Sequence, residues 1–279
     1  GGAWSPIGDV TTTMLWIGGQ LTTLTIIKTL IIPSLVAMLV PLSILTFTMK
    51  GDVTRPDAIV ANEHAINPTT SFERNLIFFL GVSGLLFVPV FKTATHLPPF
   101  MGMMLSLGLL WLVTEIIHRS KNNEDKSQLS VIGVLRKVDT ASVLFFLGIL
   151  LAVSGLQSAG HLAVMAGSLN NWFDGNIYGI NIIIGLLSAI VDNVPLVAGS
   201  MGMYEIESVG VFAQDGVFWQ FLAFCAGTGG SALIIGSAAG VAAMGLEKID
   251  FVWYLKKISI LALIGYFAGA GTYILMQSI

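Results

Sequence analysis

The chain has 279 residues, of which 54% are hydrophobic and only 10% are charged, and its mean hydropathy is +0.84. Soluble domains are about 25% charged, so the composition excludes a cytosolic enzyme, a nucleic-acid binder and a disordered chain. The net charge of −3 specifies no partner, and the single cysteine, Cys225, excludes a disulfide within the chain. The sequence therefore predicts an all-α polytopic membrane protein in a lipid bilayer.

Apolar runs of two kinds follow one another along the chain. A helix rises about 1.5 Å per residue, so about 20 residues cross a hydrocarbon core of about 30 Å. Five uninterrupted runs are long enough to cross, at 26–48, 76–92, 97–117, 140–157 and 251–278. Three further runs contain Gly, Pro, Asp or Ser near the middle, at 1–24, 177–203 and 217–246. These three are predicted to be broken helices, which membranes tolerate where other helices or a cavity satisfy the backbone.

The distribution of Lys and Arg predicts the orientation in the membrane. The polar connector 118–139 contains five basic residues and the connector 49–75 contains three, so both are predicted to be cytoplasmic. No Lys or Arg lies between Lys137 and Lys248. The segment 158–176 is accordingly expected to lie along the outer face.

The run 177–203 must enter and leave the membrane from the same side if the number of crossings is to agree with this orientation. It is therefore predicted to be a re-entrant hairpin that turns near Asp192-Asn193-Val194-Pro195. Pro195 cannot continue a helix, and Asn193 offers an amide oxygen. Ser188 is expected one helical turn before Asp192. The alternative is an ordinary polar turn between two helices.

The chain contains a weak internal repeat. A shift of 228 positions places Asp9 on Ser237 and Lys28 on Lys256, and it superposes Gly1-Gly2 on Gly229-Gly230 and Ile7-Gly8 on Ile235-Gly236. The first copy is predicted to run outward and the second inward, the arrangement of inverted-repeat secondary transporters. The counterpart of the hairpin would then precede Gly1, so we expect the chain to be truncated at its N-terminus.

This repeat predicts three parts of the chain. Residues 1–96 form the remainder of the first inverted repeat with a connecting span, and residues 97–139 form a span with a cytoplasmic linker. Residues 140–279 form the second inverted repeat, with a span, the re-entrant hairpin 177–203, the broken helix 217–246 and a last span.

Oxygen-bearing side chains lie at each predicted break. Asp9, Thr11 and Thr12 follow the helix breakers Pro6 and Gly8. Hard cations such as Na⁺ and Li⁺ prefer oxygen ligands, and unwound backbone carbonyls can add more. A carboxylate inside a membrane is costly unless it faces a cavity or binds a cation or a proton. The alternative is that Asp9 caps an ordinary helix, and the two roles are compatible.

The second and third breaks carry similar groups. Ser188, Asp192 and Asn193 belong to the hairpin, while Ser231 and Ser237 belong to the glycine-rich third break. We expect Asp9, Asp192 and Asn193 to hold the cation transiently and the hydroxyl groups to complete its shell. The alternative for the third break is close helix packing through small residues.

Three segments of the chain closely resemble NhaD-type sodium/proton antiporters: GGAWSPIGDVTTTMLWIGGQ, GLLSAIVDNVPLVAGSMGMY and GTGGSALIIGSAAGVAAMG. These antiporters belong to a wider superfamily that includes arsenite and dicarboxylate carriers. The resemblance covers essentially the whole chain. It implies an inverted-repeat carrier with two re-entrant hairpins and two broken helices that exchanges Na⁺ or Li⁺ for H⁺.

The resemblance also implies which residues form the ion site. The family positions fall on Asp9, Thr11 and Thr12 in the first motif, on Ser188, Asp192 and Asn193 in the second, and on Ser231 in the third. A further family serine is replaced by Ile234. The first hairpin of the family, another Asp-Asn pair, has no match in this chain.

Three classes of function compete for this sequence. A cation/proton antiporter requires embedded carboxylates at the breaks, which Asp9 and Asp192 supply. An anion carrier of the arsenite or dicarboxylate type would instead present hydroxyls, amides and helix N-termini. An intramembrane enzyme would require a nucleophile–base pair or a metal motif, and the sequence shows neither. We therefore predict a Na⁺(Li⁺)/H⁺ antiporter that is not an enzyme and has no cofactor.

The predicted location is the bacterial inner (plasma) membrane. The predicted partners are the lipid bilayer, small cations and, in a homo-oligomer, a second copy of the chain. No nucleic acid is expected.

Overall fold

A computed structural model describes residues 2–49, 69–119, 121–122, 129–136, 138 and 140–278. Most of the two connectors predicted to be cytoplasmic therefore lies outside the described residues. The described residues form helices and turns, with one isolated β-bridge between Glu207 and Ala213. The chain divides into two compact units, Gly1–Lys50 with Leu144–Ile279, and Gly51–Val143. The predicted division into two inverted repeats stays a prediction.

Among its described residues, the smaller unit has a pair of packed helices and a short helix after them. Its helices are α3 (Ser71–Thr95), α4 (Pro99–His118) and α5 (Val131–Leu135). A capping box between Thr70 and Glu73 starts α3, and the Glu73 carboxylate forms an ion pair with Lys121 at 2.5 Å. Large apolar side chains such as Phe78 and Phe79 are exposed, as expected for helices that face lipid.

The larger unit contains the predicted broken helices. Its helices before the hairpin are α1 (Val10–Ile17), α2 (Thr23–Thr48), α6 (Thr140–Ser158, most of which lies in this unit) and α7 (His161–Phe173). Those of the hairpin and beyond are α8 (Ile177–Leu187), α9 (Asn193–Met203), α10 (Val217–Gly229), α11 (Ala238–Glu247), α12 (Phe251–Lys257) and α13 (Ser259–Ser278).

The lengths of these helices agree with a polytopic membrane protein. Among the described residues, α2, α3, α4 and α13 are long and apolar enough to cross a membrane, and α6 and α7 form a pair bent by 78° that would make a fifth span. The bend agrees with the expectation that 158–176 changes direction after a span. The span expected within 251–278 is present over Ser259–Ser278, but it begins later than predicted, because the helix is interrupted at Ile258. Two lysines precede the interruption, where the negative end of the α12 dipole favours positive charge.

Helix α10 forms the core of the larger unit. Every side chain from Phe218 to Ala226 is buried, most of them completely. A helix that is apolar on all sides must be surrounded by other elements. The partners are α8, packed along its length, together with α1, α2 and α13. The third break therefore begins at the end of a buried helix.

Helices α2 and α13, which the shift of 228 positions makes equivalent, run in the opposite directions that the predicted inversion requires. A Cβ atom on Gly265 would meet the carbonyl oxygen of Ala37 and the ring of Pro41, whereas one on Gly269 would lie 2.7 Å from the carbonyl oxygen of Pro33 and 2.9 Å from the Cβ of Ala37. Residue numbers therefore rise along α2 as they fall along α13, and the two helices are antiparallel. The shift of 228 positions makes Ala37 equivalent to Gly265 and Pro41 equivalent to Gly269. The contact of Gly265 with Pro41 thus has its counterpart in the contact of Gly269 with Ala37, as a two-fold relation between the copies requires.

Candidate functional site

The first and third breaks have the same local structure. A Cβ atom on Gly2 would collide with the carbonyl of Gly8, and one on Gly230 would lie 2.5 Å from the carbonyl oxygen of Gly236. These pairs are equivalent under the repeat. The next residue in each copy, Asp9 or Ser237, is the N-cap of the following helix, with φ/ψ of −145°/150° and −150°/148°. The predicted alignment of Asp9 with Ser237 therefore holds in three dimensions.

The two oxygens of the Asp9 carboxylate accept hydrogen bonds from different donors. Its Oδ1 accepts a hydrogen bond from the Val10 amide at 2.8 Å, which caps α1. Its Oδ2 accepts the hydroxyl hydrogen of Thr11. Asp9 itself is half-buried, while Thr11 is completely buried. The cap and the proposed ion ligand are thus separate oxygens of one side chain.

Two more threonines, Thr12 and Thr13, form hydrogen bonds with the backbone of the first break. The Thr12 hydroxyl lies 2.9 Å from the carbonyl oxygen of Ser5, and the Thr13 hydroxyl lies 2.8 Å from that of Pro6. Both hydroxyls also contact the Asp9 carbonyl oxygen, at 3.0 and 2.8 Å. Thr12 was predicted as an ion ligand, whereas Thr13 was not singled out although it belongs to the same Thr11-Thr12-Thr13 run. In this structure both hydroxyls hold the turn against the start of α1.

The second break separates α8 from α9. Ser188 is completely buried and donates to the carbonyl oxygen of Gly185 at 2.6 Å, with the Ala226 carbonyl oxygen at 3.4 Å. The expected i, i+4 relation between Ser188 and Asp192 is wrong, because α8 ends at Leu187 and an irregular turn follows. Asp192 is the N-cap of α9, but its carboxylate accepts no capping hydrogen bond. That carboxylate is half-buried, and Asn193 beside it is buried.

The third break follows α10. Ser237 accepts a hydrogen bond from the Gly240 amide at 3.1 Å and caps α11. Ser231 is exposed, and its carbonyl oxygen accepts a hydrogen bond from the Tyr254 hydroxyl at 2.8 Å. Ile234, at the position where the resembling family has a serine, is buried. The third break therefore presents hydroxyl and backbone oxygens but no carboxylate.

The second and third breaks pack directly on each other. A Cβ atom on Gly229 would collide with the Gly185 carbonyl, and one on Gly236 would lie 2.6 Å from the Cα of Ala189. Only glycine permits such contact between backbones. The glycines at 229 and 236 therefore join the hairpin turn to the end of α10, and Ser188 lies within this junction.

The first break contacts the third through Asp9. A Cβ atom on Gly227, in the last turn of α10, would lie 3.3 Å from Asp9 Oδ2 and 3.2 Å from the Cβ of Ala3. The last carbonyls of a helix lack partners within that helix and form the negative end of its dipole. The Asp9 carboxylate of one copy therefore lies beside the negative helix end of the other. The glycine-rich motif indicated close approach but did not indicate which residue approaches Gly227.

A second acidic residue, Asp215, holds the corner between α1 and α2. Its carboxylate accepts hydrogen bonds from the amide and the hydroxyl of Thr22, at 2.6 and 2.8 Å, and its own amide donates to the Gln20 carbonyl oxygen at 2.8 Å. Thr22 is the N-cap of α2 and makes no capping bond itself. Asp215 thus caps α2 from a distant loop, a role that no local pattern in the sequence indicated.

Two broken helices in inverted copies, with acidic and hydroxyl side chains at their interruptions, are typical of membrane transporters that work as secondary carriers. A sequence model described as the citrate transporter family, CitMHS, matches residues 1–219. The chain belongs to this family. No solved structure gives a significant match.

Individual relatives are antiporters by name. The chain is 49% identical to sodium/proton antiporter 1 and 45% identical to sodium/proton antiporter 2 of Arabidopsis thaliana, over its whole length and over 47% and 64% of theirs. It is 31% identical to the Na⁺/H⁺ antiporter NhaD of Vibrio cholerae, over 99% of this chain and 59% of the relative. The chain thus spans about half the length of these relatives. The predicted likeness to NhaD-type antiporters is confirmed.

Proposed function

We propose that the protein is a secondary antiporter that exchanges Na⁺ or Li⁺ for H⁺. One observation carries the proposal: the half-buried Asp9 carboxylate directs Oδ2 toward the last turn of α10. A carboxylate in that position requires a cation or a proton. The names of the relatives point to the same exchange.

In the proposed exchange, Asp9 Oδ2 receives either the proton or the cation. Thr11 orients this oxygen through its hydroxyl, and the carbonyls at the end of α10 favour positive charge. Because one oxygen cannot hold both ligands, the cation binds only after the proton has left. If the site binds the cation from one side of the membrane and the proton from the other, the flux of the cation is coupled to the opposite flux of protons.

A second set of ligands is proposed at the hairpin. Asp192 has a carboxylate that caps no helix, and Asn193 and Ser188 offer oxygens nearby in the chain. Ser231 and Ser237 belong to the third break, whose glycines pack on the hairpin. Gly18, directly after α1, contacts Met201, in the last turn of α9. Helices α1 and α9 thus meet at their C-terminal ends, and the opposite end of each carries an aspartate.

The proposed carrier function also determines what we expect of enzymatic activity, cofactors, partners and location. The protein is an integral membrane transporter, and we propose that it catalyses no chemical reaction and requires no cofactor. Its proposed partners are lipid, small cations and a second copy of the chain, without nucleic acid. The bacterial plasma membrane stays a prediction that rests on the NhaD relatives, since the relatives at 49% and 45% identity are from a plant.

An anion carrier is the second candidate, because the family model is described as a citrate transporter. Such a carrier binds a carboxylated substrate through hydroxyls, amides and helix N-termini. The acidic groups at positions 9 and 192 would repel that substrate. We therefore place cation exchange first and make anion transport an outcome of the test.

The test is proton movement in everted membrane vesicles that contain the protein. Adding Na⁺ or Li⁺ should collapse a preformed pH gradient, whereas K⁺ or choline should not. Asp9→Asn should abolish the response, because an amide cannot exchange a proton for a cation. Asp174→Asn, the same chemical change at an exposed loop residue, is the matched control and should retain it. Normal exchange in Asp9→Asn would overturn the proposal. Uptake of citrate by vesicles that show no Na⁺-dependent proton flux would also overturn it.

A further inference from the structure

Gly227 is the residue of α10 that faces the Asp9 carboxylate. A Cβ atom there would have the carboxylate oxygen Oδ2 at 3.3 Å and the Cβ of Ala3 at 3.2 Å as its nearest neighbours. Gly227 and Asp9 are both half-buried, so part of the surface of each residue stays accessible. Other glycines of this break have a different environment, since Gly229 and Gly230 face backbone atoms of the hairpin and of the break itself.

Because Gly227 has no side chain, the side of Asp9 Oδ2 that faces α10 has room for a cation. Oδ1 is occupied by the Val10 amide, and Oδ2 already accepts the Thr11 hydroxyl from within α1. Ca²⁺, a hard cation close to Na⁺ in size, lies about 2.3–2.6 Å from its ligand oxygens, and smaller cations lie closer. A methyl carbon 3.3 Å from Oδ2 would therefore compete for the same space on the side that faces α10. The competition would be stronger for Na⁺ than for the smaller Li⁺.

We propose that Gly227 is a specificity-determining residue whose lack of a side chain sets the size of the cation that Asp9 accepts. This proposal rests on the proposed antiport function. It adds a residue of the second repeat copy to a site whose acidic group belongs to the first. It also gives different roles to two neighbouring glycines, because Gly229 permits helix packing and Gly227 makes room for the ion.

The experiment measures the apparent KM for Na⁺ and for Li⁺ in everted vesicles containing wild-type protein or Gly227→Ala. We expect the KM for Na⁺ to rise by about tenfold, the size of effect usual for residues around a metal ligand, and the KM for Li⁺ to rise less. The ratio of the two constants should therefore change in favour of Li⁺. Gly271→Ala is the matched control, because a Cβ atom there would have no neighbour within 4 Å.

A double variant separates the effect at the carboxylate from simple crowding. Ala3→Gly combined with Gly227→Ala removes the 3.2 Å contact between the two Cβ positions but keeps the methyl group beside Asp9. The altered Na⁺/Li⁺ ratio should persist in the double variant. This variant also carries the test if Gly227→Ala alone does not yield folded protein, judged by size-exclusion chromatography in detergent.

The outcomes distinguish this proposal from the proposed function. An unchanged ratio in a folded Gly227→Ala protein, or a ratio restored to the wild-type value in the double variant, would overturn the role of Gly227 while leaving antiport intact. Absence of cation-dependent proton flux in the wild-type protein would instead overturn the antiport function. A shift toward Li⁺ in both variants supports the proposal.

Discussion

The two carboxylate oxygens of Asp9 have different neighbours, because Oδ1 accepts the Val10 amide and Oδ2 lies toward Gly227. Proline and glycine directly before an acidic residue and a Thr-rich segment predict a helix start, and the carboxylate does cap α1. The sequence left open whether Asp9 is a cap or an ion ligand, and the geometry makes the two roles compatible, because Oδ1 caps and Oδ2 faces Gly227. The approach of Gly227 could not be predicted, since it depends on how two distant helices pack.

The hydroxyl of Thr11 should matter for ion affinity because it orients Asp9 Oδ2. Thr11→Val preserves the shape of this completely buried side chain but removes the donor, so we expect the apparent KM for Na⁺ to rise about tenfold. Thr11→Ser keeps the hydroxyl and should remain within about twofold of wild type. The apparent KM of each variant is obtained from the proton flux measured at increasing Na⁺ concentrations. Equal KM values in Thr11→Val and Thr11→Ser would contradict the orienting role.

At the scale of elements, most helices could be predicted because apolar runs and helix breakers are local signals. The runs 177–203 and 217–246 each divide into two helices at the glycine, proline or polar residues that the sequence indicated. The interruption at Ile258 could not be predicted, because no proline or glycine marks it. The capping of α2 by Asp215 was missed for another reason, since donor and acceptor are 193 residues apart.

The loop that carries Asp215 should stabilise the corner between α1 and α2. Asp215→Ala removes both acceptors of the Thr22 amide and hydroxyl, so we expect a loss of about 1–2 kcal/mol, as for other helix caps. Asp215→Asn keeps one acceptor oxygen and should lose less. The measurement is thermal unfolding of the purified protein in detergent. Glu205→Ala, at an exposed position of the same loop, is the control, and equal melting temperatures for Asp215→Ala and this control would contradict the capping role.

At the scale of the whole chain, the repeat was the most informative sequence signal and also the weakest. Few residues are identical between the copies, yet the shift of 228 positions superposes the glycine pairs, the helix caps at Asp9 and Ser237, and the starts of α2 and α12 at Thr23 and Phe251. Backbone geometry is thus kept where side chains have diverged. The caps differ, with a carboxylate in one copy and a hydroxyl in the other, and in the proposed exchange only the first of these two caps can take up a proton.

This asymmetry predicts how exchange depends on pH. If one proton and one cation compete for the Asp9 carboxylate, the apparent KM for Na⁺ should fall by about tenfold for each pH unit over the range in which the proton is bound. Activity at a fixed, low Na⁺ concentration should therefore rise from neutral to alkaline pH. The measurement is Na⁺-dependent proton flux in everted vesicles at several pH values and Na⁺ concentrations. Saturating Na⁺ is the internal control, because excess cation displaces the proton and should flatten the profile. A KM for Na⁺ that does not change with pH, together with a maximal rate that does, would show that the proton acts elsewhere than at the cation site.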